Sequence, residues 1–326
     1  MLLKEQVLQA LLEKNDFLSG EKLAEKLDVS RAAIWKAIAQ LRSDGHKITA
    51  INKKGYRLDQ GGDILNAQQI RQFLSPQWKA LNIQVYDTID STNSQAKREI
   101  SAGIYEDKLI VAQSQTAGRG RRGRSFYSPK DKGIYMSLLL RPMLNIQDGL
   151  LITSAVAVAV CQALEKFIST DLGIKWVNDI YLNDKKICGI LTEAVSDFEL
   201  GIIQNIVIGI GVNLRPQDFP PDLMQAASLN LTDVSRNEII ASIVNAVQKA
   251  LAHLKEPQWL EEYRYRSVIL GKEISFEQNG VVNYATAIDI DSAGGLVIRL
   301  QDGTTTVLNS GEITVRSLSA SSKLSK

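Results

Sequence analysis

Gln113-Ser-Gln-Thr-Ala-Gly-Arg-Gly-Arg-Arg-Gly-Arg124 is the stretch on which the reading of this chain turns. Four arginines and three glycines fall within Gly118–Arg124. Glycine lets backbone N–H groups approach a ligand closely. Arginine brings a permanent charge and a planar set of donors suited to carboxylate and phosphate. A loop combining the two can hold a pair of anions together against their repulsion. A surface Gly/Arg tract that binds nucleic acid without sequence choice has the same composition, so the flanking segments decide.

Those flanks read as a folded α+β domain over residues 63–267. Ile83–Asp87 is a strand that leads to Ser91-Thr92-Asn93, where a helix opens. Leu109–Ala112 is a buried strand that feeds the Gly/Arg loop, and Gly133–Leu140 is the strand after it. Gly149–Ile168 is apolar on most sides and predicts a buried helix. Ile174–Val177, Ile180–Leu182, Lys186–Val195 and Ile202–Ile210 continue the sheet, and Glu238–Leu254 and Gln258–Arg264 are helices. Strands mixed with helices predict one helix-covered sheet.

Residues 1–62 read as a winged helix-turn-helix. Leu3, Val7, Leu8, Leu11 and Leu12 recur at helical spacing, and Asn15-Asp16 ends that helix. Ser19 caps a second helix. Ser30 caps a third, with Ile34, Ile38 and Leu41 inward and Gly45 as its stop. Lys47–Ile51 and Gly55–Leu58 make a basic hairpin wing. The third helix carries Arg31, Lys36 and Arg42 toward the major groove of DNA. Lys53, Lys54 and Arg57 on the wing face phosphate. A small protein-interaction module with solvated lysines is the alternative. Asp59-Gln-Gly-Gly-Asp63 is a polar linker.

Residues 268–317 read as short strands whose hairpin signals, Gln278-Asn-Gly280 and Asp302-Gly303, predict a small β-barrel. Residues 318–326 form a Ser/Lys-rich tail with the composition of disorder.

Composition excludes several classes. A net charge of +2 on 326 residues is too small for a bulk polyanion binder, so nucleic-acid contact must be local. Cys161 and Cys188 form no ligand or disulfide pattern, and His46 and His253 are far apart. With no signal-peptide core and no run of about 18 apolar residues, the expectation is a cytoplasmic protein without a membrane partner.

Four further elements carry chemistry. Ser91-Thr92-Asn93 offers hydroxyls and an amide to a polar ligand, or simply caps its helix. Lys175-Trp-Val-Asn-Asp179 gathers a lysine, an indole, an amide and a carboxylate at a strand end. In Lys185-Lys-Ile-Cys-Gly189, strand alternation sends one lysine to solvent and offers the other to a pocket. Gly209-Ile-Gly-Val-Asn213 fails as a dinucleotide fingerprint, and no Walker A sequence exists.

Taken in this order, the motifs resemble the bifunctional biotin–protein ligases that also act as biotin operon repressors. The likeness runs from the helix-turn-helix to the terminal barrel. Gly118-Arg-Gly-Arg-Arg-Gly123 is highly specific to that family. Lys175-Trp-Val-Asn-Asp179 matches its Lys-Trp-Pro-Asn-Asp with Val177 in place of proline, and Phe126 stands where the family often has Trp.

The resemblance implies a mixed sheet like that of class II synthetases, an SH3-like barrel, and ligation of biotin to a lysine of biotin carboxyl carrier protein or other biotin-dependent carboxylases. The reaction would use ATP, with Mg2+ held by the phosphates rather than by a fixed set of protein ligands. It also implies operator DNA as a partner and a homodimer promoted by biotinyl-5'-AMP. Ile202–Ile210 with Thr192–Val195 is the expected pairing edge.

For biotin, the implied residues are Ser91, Thr92, Asn93, Gln113, Gly118, Arg119, Gly120, Arg121, Lys186, Gly189 and Gly209. For the nucleotide they are Arg119, Arg121, Arg122, Arg124, Phe126, Lys175, Asn178 and Asn213. Arg121, Lys186 and Asp179 would be catalytic. A lipoate ligase, a non-catalytic biotin sensor and an unrelated DNA-binding protein whose large domain only dimerises are the competing readings.

Overall fold

The computed structural model describes residues 2–315 except 15, 44, 45, 60–62, 143, 198, 200, 257, 279, 310 and 312. The helix break at Asn15, the stop at Gly45, most of the linker, the centre of the 278–280 turn and the tail 318–326 lie outside the described residues. By contacts the chain divides into two units, residues 1–79 with 232–241 and residues 80–231 with 242–326.

The first unit contains α1 (Leu3–Glu13), α2 (Gly20–Leu27), α3 (Arg31–Ser43), β1 (Ile48–Ile51), β2 (Gly55–Leu58) and α4 (Ala67–Phe73). Val7, Leu8, Leu11, Leu23, Ile34, Ile38 and Leu41 meet in one core, which is why the helical spacing of those positions holds. Ser19 Oγ accepts from Lys22 N at 3.1 Å and Ser30 Oγ from Ala33 N at 3.1 Å, so both capping serines act as read. The wing requires glycine at Gly55. Its φ is +107°, and a Cβ there would stand 2.0 Å from the Leu18 carbonyl oxygen. Buried Arg236 and Asn237 pin the end of the linker. Arg236 donates to the Asp63 carboxylate and carbonyl, and Asn237 Nδ2 to the Ile64 carbonyl.

The second unit is built on an eight-stranded sheet. Its strands are β3 (Asn82–Ile89), β4 (Lys108–Gln115), β5 (Gly133–Leu140), β6 (Leu144–Asn145), β7 (Gly173–Lys175), β8 (Asp179–Leu182), β9 (Lys185–Asp197) and β10 (Ile202–Asn213). The order is β3-β4-β5-β10-β9-β8-β7, with β6 on β10. β3 and β4 run parallel and the other pairs antiparallel, so the sheet is mixed. β5 is buried at every position, as a strand covered on both faces must be.

α5 (Thr92–Ser101) packs on β4, β5 and β10, and α6 (Gly149–Leu164) on β7, β8 and β9. α7 (Arg236–Ala252) begins in the first unit and continues in the second, followed by α8 (Gln258–Arg266). β11 (Glu273–Gln278), β12 (Val281–Ile290), β13 (Leu296–Leu300), β14 (Thr305–Leu308) and β15 (Ile313–Val315) form a small antiparallel sheet in the order β14-β13-β12-β11-β15.

One expectation fails here. β10 is not an edge: β5 and β9 flank it on either side. Its nearly continuous apolar run reflects burial on both faces. Among the described residues β9 has an unpaired edge, because β8 pairs with it only as far as Gly189 while β10 follows it to Asp197. The unpaired stretch therefore includes Thr192–Val195 but none of Ile202–Ile210.

Candidate functional site

A cavity of about 390 Å3 opens where β4, β9, β10, α5 and the Gly/Arg loop converge. Its floor is glycine. A Cβ on Gly211 would lie 2.5 Å from the Phe126 ring, and one on Gly189 would meet the same ring at 3.4 Å. Phe126 thus lies against the backbone of two strands, with its edge toward Tyr135 at 6.4 Å between centroids. A Cβ on Gly209 would collide with Asn93 Oδ1 at 2.1 Å. A side chain at Gly211 or Gly209 would displace Phe126 or Asn93 from the cavity wall.

One group of wall residues is a largely neutral hydrogen-bond network. Ser91 caps α5, accepting from Ser94 N, which buries Ser91, Thr92 and Asn93 at the head of that helix. Thr92 donates through N and Oγ1 to Gln115 Oε1 at 2.8 and 3.2 Å, and Gln115 Nε2 donates to Ser128 Oγ at 2.9 Å. Buried Ser137 Oγ lies 2.7 Å from Thr92 Oγ1 and 2.6 Å from Asn93 Oδ1. Asn93 Nδ2 donates to Glu193 Oε2 at 3.0 Å. Glu193 also receives Lys97 and Arg119 at 3.0 and 3.2 Å. Burial raises the Glu193 pKa, but the Asn93 and Lys97 hydrogen bonds and the neighbouring cations outweigh it, so the carboxyl sits below its usual range.

A second group is ionic. Arg121 donates to Asn178 Oδ1 at 2.9 Å. Asn178 Nδ2 in turn donates to Asp179 Oδ1 at 3.0 Å and to the Ile190 carbonyl at 2.9 Å. Asp179 pairs with Lys186 at 2.8 Å. The backbone of Lys186 is gripped on both sides by the following loop: its N–H donates to the Gln225 carbonyl, and its carbonyl accepts from Ala227 N. Tyr181 stands beside this group. Burial and the Asp179 charge push its pKa up to about 12, so the hydroxyl remains protonated.

The segment carrying Asn178 is held from behind. Trp176 Nε1 donates to the Gly294 carbonyl in the β12–β13 turn at 3.1 Å, and Tyr263 Oη donates to the Val177 carbonyl at 3.3 Å. The Trp176–Val177 peptide is cis. Burial drives both cysteine thiols upward in pKa, which leaves Cys161 and Cys188 as packing residues.

Of the residues expected at the site, the cavity brings together Ser91, Thr92, Asn93, Arg119, Gly120, Arg121, Arg122, Arg124, Phe126, Lys175, Asn178, Asp179, Lys186, Gly189 and Gly209. Three expected residues do not line it. Gln113 is one; Gln115, two residues on at the end of β4, lines the cavity and accepts from Thr92. Gly118 shapes the loop from outside, since a Cβ would sit 2.4 Å from the Phe126 carbonyl oxygen. Asn213 is buried at the end of β10 opposite Gly133.

Sequence reasoning missed Gln115, Glu193, Ser137, Tyr181 and the Asp222–Ala226 loop. Alternation along β9 from Gly189 through Leu191 reaches Glu193, so that signal was present. Lys185, the solvent-side partner of Lys186, bonds the Met224 carbonyl instead.

In the first unit, Arg31, Lys36, Lys53 and Lys54 are exposed. Two of the expected contacts are otherwise engaged. Arg42 donates twice to the Ile48 carbonyl, at 3.0 and 2.6 Å, which ties α3 to the wing. Arg57 lies over the Phe17 ring at 4.8 Å and 3.4 Å from Asp59.

Comparison with known proteins now decides the family. Residues 85–213 match the model of the biotin/lipoate A/B protein ligase family, residues 4–57 an HTH domain, and residues 269–316 the biotin protein ligase C-terminal domain. The bifunctional ligase/repressor BirA of Bacillus subtilis (strain 168) is 34% identical over 299 residues, covering 89% of this chain and 91% of that protein. The chain belongs to the bifunctional ligase/repressor family.

The Escherichia coli (strain K12) bifunctional ligase/repressor BirA is 32% identical over 319 residues, covering 94% of this chain and 96% of its own length. Among solved structures, the Aquifex aeolicus biotin protein ligase in complex with biotin and ATP superposes with a TM-score of 0.61 at 26% identity, covering 72% of this chain and 98% of that one. Among the described residues, no helix is long and apolar enough to cross a membrane, and no group of three or more His, Cys, Asp or Glu side chains gathers as a metal site.

Proposed function

We propose that the cavity binds biotin and ATP together and joins them, and that the product is passed to a lysine of a biotin-dependent carboxylase. The observation that carries this is the pairing, in one cavity, of the Thr92–Gln115 pair, backed by buried Ser137, with the Arg121–Asn178–Asp179–Lys186 group. A neutral ureido ring needs matched donors and acceptors in a site that is otherwise closely packed. A carboxylate and a triphosphate need cations.

In the first step a biotin carboxylate oxygen attacks the α-phosphorus, and the P–O bond to pyrophosphate breaks. Arg121 and Lys186 neutralise the two anions, so the contribution is positioning and charge stabilisation. Arg119, Arg122, Arg124 and Lys175 surround the phosphates, and Phe126 closes over the glycine floor. Mg2+ would come with the ATP phosphates, offset their charge, and need few protein ligands. In the second step a lysine amine attacks the acyl carbon and AMP leaves. A free lysine has a pKa of about 10.4, so Asp179 is assigned to orient that amine and take its proton. Both cysteines are free and buried, which suits a reducing cytoplasm.

The test is ATP–pyrophosphate exchange with Mg2+, with biotin and lipoate in parallel. Exchange with biotin alone supports the reading. Exchange with lipoate alone would make the chain a lipoate ligase, and none with either would leave a sensor.

For the repressor activity, we propose a homodimer promoted by biotinyl-5'-AMP that reads two half-sites. The unpaired β9 stretch containing Thr192–Val195 is the candidate for pairing between protomers, and Val195 is exposed on it. Glu193 lies on the same stretch and bonds Asn93 and Arg119, which gives the filled site a route to that edge. Operator affinity that is the same with and without biotinyl-5'-AMP would sink the coupling.

A further inference from the structure

α3 buries Ile34, Ala37, Ile38 and Leu41 and turns Arg31, Ala32, Trp35, Lys36, Ala39 and Gln40 to solvent. Trp35 is 63% exposed. A tryptophan gains more from burial than almost any other side chain, and its place in the second turn of α3 puts it in the part of a recognition helix that enters the major groove. Ala32 and Ala39, one turn to either side on the same face, are too short to hold a duplex away from the indole. α3 contains no Asp or Glu, while exposed Arg31 lies one turn before Trp35 and exposed Lys36 follows it. A basic, acid-free face around an apolar centre matches a polyanion that presents an apolar feature. In the major groove that feature is the thymine C5-methyl group.

We propose that Trp35 is a specificity-determining residue that packs on thymine methyls in each operator half-site. This rests on the repressor reading of the first unit. Arg31 and Lys36 supply affinity through phosphate, and Trp35 supplies sequence choice. A flat indole excludes water from the methyl, and a position carrying cytosine in place of thymine lacks that contact.

The experiment begins by selecting binding duplexes from a random-sequence pool with the full chain in the presence of biotin, ATP and Mg2+. Each thymine of the selected duplex is then replaced by deoxyuridine, which removes only the methyl. Wild type should lose about fourfold in affinity at one or two positions per half-site, the equivalent of ~0.8 kcal/mol per methyl. Trp35→Ala should bind the thymine and deoxyuridine duplexes alike, and Trp35→Leu should recover part of the discrimination. Biotin-dependent pyrophosphate exchange, unchanged in both variants, reports that the chain is folded. Wild type indifferent to every replacement, or Trp35→Ala as sensitive as wild type, overturns the proposal. Failure to select any duplex overturns the repressor reading with it, while exchange activity stands apart from both.

Discussion

Lys186→Met should lower biotin-dependent pyrophosphate exchange by about 100- to 1,000-fold, the usual cost of removing one group that stabilises developing charge. The ammonium sits on the glycine-floored part of β9 and is held by Asp179 at 2.8 Å. Its backbone is fixed at both N–H and carbonyl by the 225–227 segment. A group held in this way does not have to reorganise when carboxylate and α-phosphate meet. The variant also leaves the Asp179 carboxylate with its Asn178 contact but without its cation, which adds like-charge repulsion toward the phosphates.

Biotin binding alone should weaken less, by about 10- to 100-fold, because the ring is assigned to the Thr92–Gln115 pair and only the tail carboxylate would lose a charged partner, worth ~1.5–3 kcal/mol. Titration calorimetry with biotin beside the exchange assay separates the two effects. Exchange within tenfold of wild type would remove Lys186 from the adenylation step.

The parts of this site that sequence discloses are those written in local chemistry. Ser91 and Ser30 cap helices whether or not the rest of the chain is known. Gly118–Arg124 has few readings once a buried strand feeds it. Lys186 faces inward because strand neighbours alternate. What stayed hidden depends on where strands stop pairing and on which distant group a side chain meets. Gln113 and Gln115 lie on the same face of β4, so alternation cannot choose between them. Only the contacts that Gln115 makes with Thr92 and Ser128 do.

The apolar run Ile202–Ile210 fits an edge that awaits a partner or a strand already flanked by two. Burial at almost every position favours the second, and the sheet order settles it. Arg42 looks free for DNA on a helical wheel, yet it spans six residues to the Ile48 carbonyl. Trp35 carries no sequence signal of its own, since an aromatic on an amphipathic helix reads as core until the opposite face is seen to be full.

Arg121→Gly should leave the fold intact and let the adenylate escape about 10- to 100-fold faster. The Gly/Arg loop is a small closed unit. Phe126 N donates to the Gly118 carbonyl, Gly120 N to the Arg124 carbonyl, and Arg124 N to the Arg121 carbonyl. Arg121 and Arg119 anchor that unit across the cavity, to Asn178 and Glu193. Those three bonds run backbone to backbone and survive loss of the Arg121 side chain, so thermal unfolding should shift by no more than a surface substitution shifts it.

The retained adenylate would lose a charge-assisted contact worth ~1.5–3 kcal/mol and the tie to Asn178 that helps keep the loop over it. Arg121→Lys keeps the charge without the planar donor set and should fall between the two. Retention of labelled biotinyl-5'-AMP through rapid gel filtration reads the rate directly. Protease cleavage of the loop, with and without biotin and ATP, reads its closure. If the Gly variant holds the adenylate as long as wild type, the loop is closed by Arg119 and Phe126 alone and Arg121 serves only the phosphate. Fast leakage with a loop still protected by ligand would instead separate binding from closure and assign Arg121 to the first.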